Sequence, residues 1–310
     1  MELVRLGAPA PLGLPAPAVA IGNFDGVHLG HQALVSAAVA DARSSRGTAV
    51  VLTFDPHPAR VVAPERAPRT LLSLEQRAEI LAGLGVDVVA VLPFDRATAA
   101  LEPDAFVRST LGSRLAARTV VVGEKFRFGR GRAGDVALLR RMGEGLGFRV
   151  HAVAPVLLNG RPVSSSAIRE ALARGDVAAA AHLLGRAPFA DGTVVRGAGR
   201  GRRLGVPTAN LEVVNETLPR NGVYAGRARL AGLAPLDCVA NIGERPTFGG
   251  SATTVEAHLL EFAGDLYGRT LRLEFLGRLR DERRFAGQEA LLEQIRNDIQ
   301  AARALLEKAC

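Results

Sequence analysis

A chain of 310 residues with 48% hydrophobic and 23% charged side chains is long enough for two domains, each with its own core. No uncharged apolar run reaches the roughly 18 residues of a membrane span, the proline-rich start (Pro9, Pro11, Pro15, Pro17) lacks the apolar stretch of a signal peptide, and two distant cysteines, Cys238 and Cys310, make neither a disulfide framework nor a zinc site, so a cytoplasmic protein is expected. The formal charge of +8 rests almost wholly on scattered arginines, Lys125 and Lys308 being the only lysines; with 5% aromatics and no tryptophan, small polyphosphate ligands are expected rather than nucleic acid or membrane.

The first strong signal is the apolar run Ala18–Ile21, followed by Gly22, Asn23, Phe24, Asp25, Gly26, Val27, His28, Leu29, Gly30 and His31, and then by a helical pattern from Gln32 through Val39. Glycines also serve ordinary tight turns, but a strand, a G-x-F-D-G-x-H-x-G-H turn and a helix together are a specific combination. The glycines let the backbone approach a ligand, and the helix start aims unpaired N–H groups at whatever sits in the turn. An anion, most naturally a nucleotide phosphate, is expected there, with His28 and His31 beside it.

Further along, Thr48–Phe54 reads as a strand ending in Asp55, Pro56, His57 and Pro58. Ser73 and Gln76 form a capping-box pattern at the start of a helix ending near Gly83 to Gly85. Val86–Leu92 is a buried strand, Pro103–Leu111 a helix and Thr119–Val122 a further strand, followed by Gly123, Glu124, Lys125, Phe126, Arg127, Phe128 and Gly129. This alternation predicts an α/β domain with a parallel sheet covered on both faces. Ligands then sit outside the carboxyl ends of the strands, where the three polar clusters converge. Ser164, Ser165 and Ser166 precede a helix running to about Arg174. Serines there are ordinarily caps, but Arg169, four residues after Ser165, favours a phosphate clamp.

Around Leu184 to Pro188 the alanine-rich helical pattern gives way to short alternating runs divided by glycines: Gly192–Val195, Gly222–Gly226, Leu236–Ile242, Thr254–Leu260 and Thr270–Phe275. An antiparallel β-barrel is predicted. A closing helix from about Gln288 to Glu307 carries Leu291, Leu292, Ile295, Ile299, Ala302, Leu305 and Leu306 on one stripe, which packs on the barrel. Between the first two runs, Gly197, Gly199, Gly201 and Gly205 punctuate a basic loop ending in Val206, Pro207, Thr208, Ala209 and Asn210. It reads either as a mobile basic loop or as a cover over phosphates. It is not a P-loop, since the G-K-[ST] ending is missing. Thr208 and Asn210 flank Ala209, so their oxygens share a face and suit a magnesium ion. Glu256 alternates with His258 on one strand face. It is either solvated surface or a carboxylate base facing a substrate hydroxyl.

These motifs resemble the bifunctional bacterial riboflavin kinase/FAD synthetases across essentially the whole chain. The matches are G-N-F-D-G-V-H-L-G-H, T-F-D-P-H-P, G-E-K-F-R-F-G and S-S-S-A-I-R in the first half. In the second half they are G-V-P-T-A-N, N-G-V-Y, N-I-G-E-R-P-T-F, V-E-A-H, D-L-Y-G and F-x4-A-L-x2-Q-I-x2-D-I. The resemblance implies a Rossmann-like HxGH nucleotidyltransferase (FMN adenylyltransferase) domain over residues 1–185 and a riboflavin kinase barrel with a C-terminal helix over 186–310. In the kinase, Gly197, Gly201, Gly205 and Pro207 would cover ATP, Thr208 and Asn210 would hold Mg2+, Glu256 would be the base and Arg280 would face the flavin. In the first domain, His28 and His31 would be catalytic, joined at ATP by Gly22, Asn23, Phe24, Asp25, Gly30, Ser165, Ser166 and Arg169. His57, Pro58 and Lys125 would face the flavin. The family usually carries Asn or Asp where this chain has Lys125, so the local charge is reversed. Riboflavin, FMN and ATP are the expected partners, FMN and FAD the products, and a homo-oligomer is compatible with this.

Overall fold

Parallel strands buried on both faces need near-continuous β-branched runs, and the first half supplies them. The computed structural model describes all residues except 8–10, 198–200, 202, 203, 248, 249 and 310, and leaves out the side chains of 245–247, 250–252 and 309. It divides into two units, residues 1–165 and 166–310.

In the first unit, β1 (Glu2–Arg5), β2 (Ala18–Ile21), β3 (Ala49–Asp55), β4 (Val88–Pro93), β5 (Thr119–Gly123) and β6 (Arg149–Val153) form one parallel sheet in the order β1-β4-β3-β2-β5-β6. All four residues of β2 are buried, as are the first five of β4. Helix α1 (Leu29–Ser44) follows β2, α2 (Pro58–Val62) follows β3, and α3 (Leu74–Gly83) leads to β4. The capping box at Ser73 forms: Ser73 Oγ accepts the Gln76 N–H at 3.2 Å, and Gln76 Oε1 accepts the Ser73 N–H at 2.8 Å. The predicted helix at Pro103 is instead a turn of α-helix, Pro103–Phe106, that widens into a π-helix, Val107–Arg114. From β2 the chain steps to β3 and β4 on one side, and β5 lies on the other. The order therefore reverses beside β2, and the loops after β2 and β5 open on that switch point.

Helix α4 (Ser165–Ala173) begins with the last residue of the first unit, and α5 (Val177–Leu184) follows. In the second unit, β7 (Phe189–Val195), β8 (Ala209–Val213), β9 (Gly222–Arg229), β10 (Leu236–Thr247), β11 (Gly250–Leu259) and β12 (Thr270–Arg280) close an antiparallel barrel in the order β8-β11-β10-β9-β12-β7. Alternation fills the interior: Leu271, Leu273 and Phe275 are buried along β12, with exposed or half-buried neighbours between them. The C-terminal helix, Gln288–Leu306, lays Ala302, Leu305 and Leu306 against Ala225, Val239 and Leu276. Gly277 makes this approach feasible, since a Cβ there would collide with Leu305.

Candidate functional site

The histidine pair is built by the start of α1. His28 is its N-cap, with Nδ1 accepting the His31 N–H at 3.3 Å. A neutral His28 therefore keeps its proton on Nε2 and presents a donor there. The two imidazoles stack at 3.7 Å between centroids and 16° between planes. Gly30 leaves room for the stack, because a Cβ would stand only 3.1 Å from His28 Cε1. Burial, then the neighbouring His28, then the positive charge of Arg77 hold the His31 pKa well below the ordinary histidine value. His31 is thus neutral at neutral pH, and its buried Nδ1 has no hydrogen-bond partner among the described residues.

The turn between β2 and α1 is tightly held. Phe24 (φ 50°), Gly26 (φ 84°) and Val27 (φ 40°) all take left-handed backbone conformations. Phe24 is fully buried, packs 5.1 Å from the His31 ring and lies 3.2 Å from where a Gly22 Cβ would stand. Asp25, expected among the phosphate contacts, turns inward: it is 3% exposed and its Oδ1 accepts the N–H groups of Leu71 (2.8 Å) and Leu72 (3.3 Å). Ser165 Oγ donates to the Asp25 carbonyl at 2.8 Å. Ser166 (exposed) and Arg169 (half-buried) follow on α4, in the second unit.

The same strand ends border a cavity of about 910 Å³ lined by Gly22, Asn23, His57, Pro58 and Lys125. Asn23 Nδ2 lies 3.2 Å from His57 Nε2, and His57 Nδ1 accepts the Ala59 N–H at the start of α2. Phe54, Phe94, Phe126 and Phe128 give the cavity aromatic walls, and Arg96, Lys125, Arg127, Arg130 and Arg132 give it a cationic rim. Arg127 pairs with Asp135 and Arg130 with Glu102, while Lys125 and Arg132 have no ion pair among the described residues. A flat apolar ring carrying an anionic tail fits such a space. Arg96 opens a four-residue helix and Arg132 ends a 3-10 turn, and elements this short carry no periodic pattern in the sequence.

In the second unit the polar constellation lies on the outer face of the barrel. Asn210 stands directly opposite Glu256 across β8 and β11, and Glu256 directly opposite Asn241 across β11 and β10. Ala209, Val255 and Ala257 point inward, which turns Thr208, Asn210, Glu256 and His258 to the other face. His258 Nδ1 donates to the Pro207 carbonyl at 2.8 Å and ties the loop to β11. Gly197 and Gly201 lie where a Cβ would collide with the Asn210 amide and the Val206 carbonyl, and Gly205 has φ 75°. The loop's Ala198, Gly199, Arg200, Arg202 and Arg203 lie outside the described residues. Arg280 is engaged: its guanidinium grips the buried Asp298 of the C-terminal helix. Among the described residues no cluster of three or more His, Cys, Asp or Glu could hold a metal by itself. The neutral hard oxygens of Thr208 and Asn210 fit magnesium only as a minority of its ligands, the rest being phosphate and water.

Residues 14–167 match the family model for FAD synthetase, and residues 184–306 the model for riboflavin kinase. The chain is 41% identical over 284 residues to the bifunctional riboflavin kinase/FMN adenylyltransferase of Escherichia coli (strain K12), spanning 91% of this chain and 90% of that one. It is 42% identical over 286 residues to the Pseudomonas fluorescens enzyme of the same description, spanning 92% and 91%. A crystal structure from Streptococcus pneumoniae, described as a macrolide-efflux protein, superposes with a TM-score of 0.88 at 29% identity over 97% of this chain and 98% of that one. No helix among the described residues of the present chain is long and apolar enough to cross a membrane. The order of the two matched domains and the identity sustained through both show that the chain belongs to the bifunctional riboflavin kinase/FMN adenylyltransferase family.

Proposed function

We propose that the chain makes FAD from riboflavin in two ATP-dependent steps, in the cytoplasm. Residues 186–310 would phosphorylate the ribityl 5′-hydroxyl to give FMN and ADP. Residues 1–185 would join FMN to AMP from a second ATP and release pyrophosphate. The observation that carries this reading is the presence of two separate polar constellations, each on its own unit: the stacked histidines at the switch point of the sheet, and the Asn210–Glu256 register pair on the barrel.

In the kinase, the Glu256 carboxylate takes the proton as the hydroxyl oxygen attacks the γ-phosphorus. Thr208 and Asn210 would supply two oxygens to Mg2+, and the bound ion would neutralise negative charge on the ATP phosphates. Gly197, Gly201 and Gly205 bring backbone rather than side chains against that pair. In the adenylyltransferase, the FMN phosphate attacks the α-phosphorus directly and pyrophosphate leaves, with no enzyme-bound intermediate. The positive end of α1 and the His28 Nε2 donor stabilise the added negative charge. The apolar cavity beside Asn23, His57 and Pro58 takes the flavin ring, and Lys125 meets the anionic tail. Ser165, Ser166 and Arg169 would hold the ATP phosphates, as the family resemblance implies.

Incubation with riboflavin, ATP and Mg2+, followed by chromatography, tests the reading. FMN should accumulate first and FAD follow, with ADP and pyrophosphate as coproducts. FMN without FAD would reduce the chain to a kinase, and neither product would refute both assignments.

A further inference from the structure

The loop that carries the histidine pair is held from below by a side chain that stands outside the motifs of the sequence. Phe24 and Val27 are non-glycine residues in left-handed conformations, which persist only where the surroundings impose them. Asn23 sits at the head of that loop, and its carbonyl accepts two hydrogen bonds: Arg77 Nη1 at 2.8 Å and Thr53 Oγ1 at 3.2 Å. The Arg77 guanidinium also reaches Thr53 Oγ1 (3.3 Å) and the Ser73 carbonyl (3.4 Å).

Arg77 lies on α3 and is 8% exposed. Among the described residues it forms no ion pair. A buried cation without a carboxylate against it is costly and uncommon. Here it serves only neutral oxygens, one of them on a residue that lines the large cavity. Sequence alone could not show this, since an arginine in the first turn of a helix ordinarily points to solvent.

We propose that Arg77 is a positioning residue for adenylyl transfer: with Thr53 it fixes the Asn23 carbonyl, and thereby the path of the loop that presents His28 and His31. The proposal rests on the adenylyltransferase reading of that site. A second effect accompanies the first. The charged groups that act on the His31 ring are His28, stacked on it from the start of α1, and Arg77 from α3. Both, with burial, keep the ring neutral. Burial lowers the Arg77 pKa, and the negative charges of Asp25, Asp55 and Glu75, none of them paired with it, oppose that lowering.

Three variants of the full chain test this: Arg77→Met, Arg77→Lys and Thr53→Val. Each is assayed for riboflavin phosphorylation, for FMN adenylylation and, by NMR, for the titration of the His31 imidazole. Arg77→Met should lower kcat for FAD formation on the order of 10²-fold, the scale of a reacting group displaced by about 1 Å. FMN production by the same protein should be unchanged, and His31 should titrate at higher pH than in the parent. Arg77→Lys restores the charge and the low titration of His31. It should recover only part of kcat, because one ammonium cannot reproduce the planar fork. Thr53→Val, nearly isosteric, should lower kcat about threefold to tenfold by removing one donor from Asn23. Unchanged FAD formation in Arg77→Met overturns the proposal. If that variant loses both activities together through misfolding, unchanged kcat in Thr53→Val overturns it instead. Failure of the parent chain to make FAD from FMN and ATP refutes the adenylyltransferase reading itself, and the NMR titration still reports whether Arg77 acts on the histidine pair.

Discussion

Arg280 and Asp298 are locked together: Nε lies 2.9 and 3.1 Å from the two carboxylate oxygens and Nη2 lies 2.7 Å from one of them. Asp298 is 5% exposed and also receives Gln294 Nε2 at 2.6 Å. The pair bolts the C-terminal helix to the end of β12. Removing the acid leaves a largely buried guanidinium uncompensated, so Asp298→Ala should lower stability by about 3 kcal/mol in urea unfolding. A shift in the KM for riboflavin with unaltered stability would show instead that Arg280 serves the flavin directly.

His31 gives the fold a pH dependence of definite sign. Its folded-state pKa lies below its unfolded value, so the unfolded chain binds more protons as pH falls below the ordinary value of 6.5. Stability contributed by the neutral ring is complete above that value and is lost as pH falls toward the folded-state pKa. The unfolding midpoint should therefore drop between about pH 7 and 5, and His31→Gln should flatten that drop. An unchanged slope in the variant would contradict the assignment.

His28 caps α1 as well as presenting a donor. His28→Ala should cost about 1 kcal/mol of stability through the lost cap and should suppress FAD formation far more than that loss explains. Thermal unfolding and the two activity assays separate these effects.

Lys125 stands exposed on the rim of the cavity without an ion pair among the described residues. Lys125→Met should raise the KM for FMN by about twofold to fivefold, the scale of one solvent-exposed charge pair. It should leave riboflavin phosphorylation untouched. Added salt should narrow the difference from the parent.

Much of this arrangement was legible because a local physical pattern announced it. The apolar run before Gly22 and the helix after it marked the β2–α1 turn, Ser73 and Gln76 marked the start of α3, and alternation put Glu256 and His258 on one face. The apolar stripe of the last helix was likewise periodic, and Asp298 stood within its family motif, yet nothing local showed that this carboxylate is buried against Arg280. β6 carries no readable strand pattern, because its exposed Arg149 and His151 mask a sheet edge. β8 was missed because only Leu211 and Val213 represent it in a polar stretch. Asn241 and Arg77 were invisible as site residues, since their significance comes from register and burial, and neither is local in sequence.

Two independent ATP sites on one chain must respond separately to substitution, and a reciprocal pair of assays reads this out. Glu256→Gln, given riboflavin, ATP and Mg2+, should lose FMN production by about 10²- to 10⁴-fold, while the same variant given FMN should form FAD at the parental rate. His28→Ala should show the converse. Loss of both reactions in either variant while it remains folded, or FMN production persisting in Glu256→Gln, would rule out two independent sites.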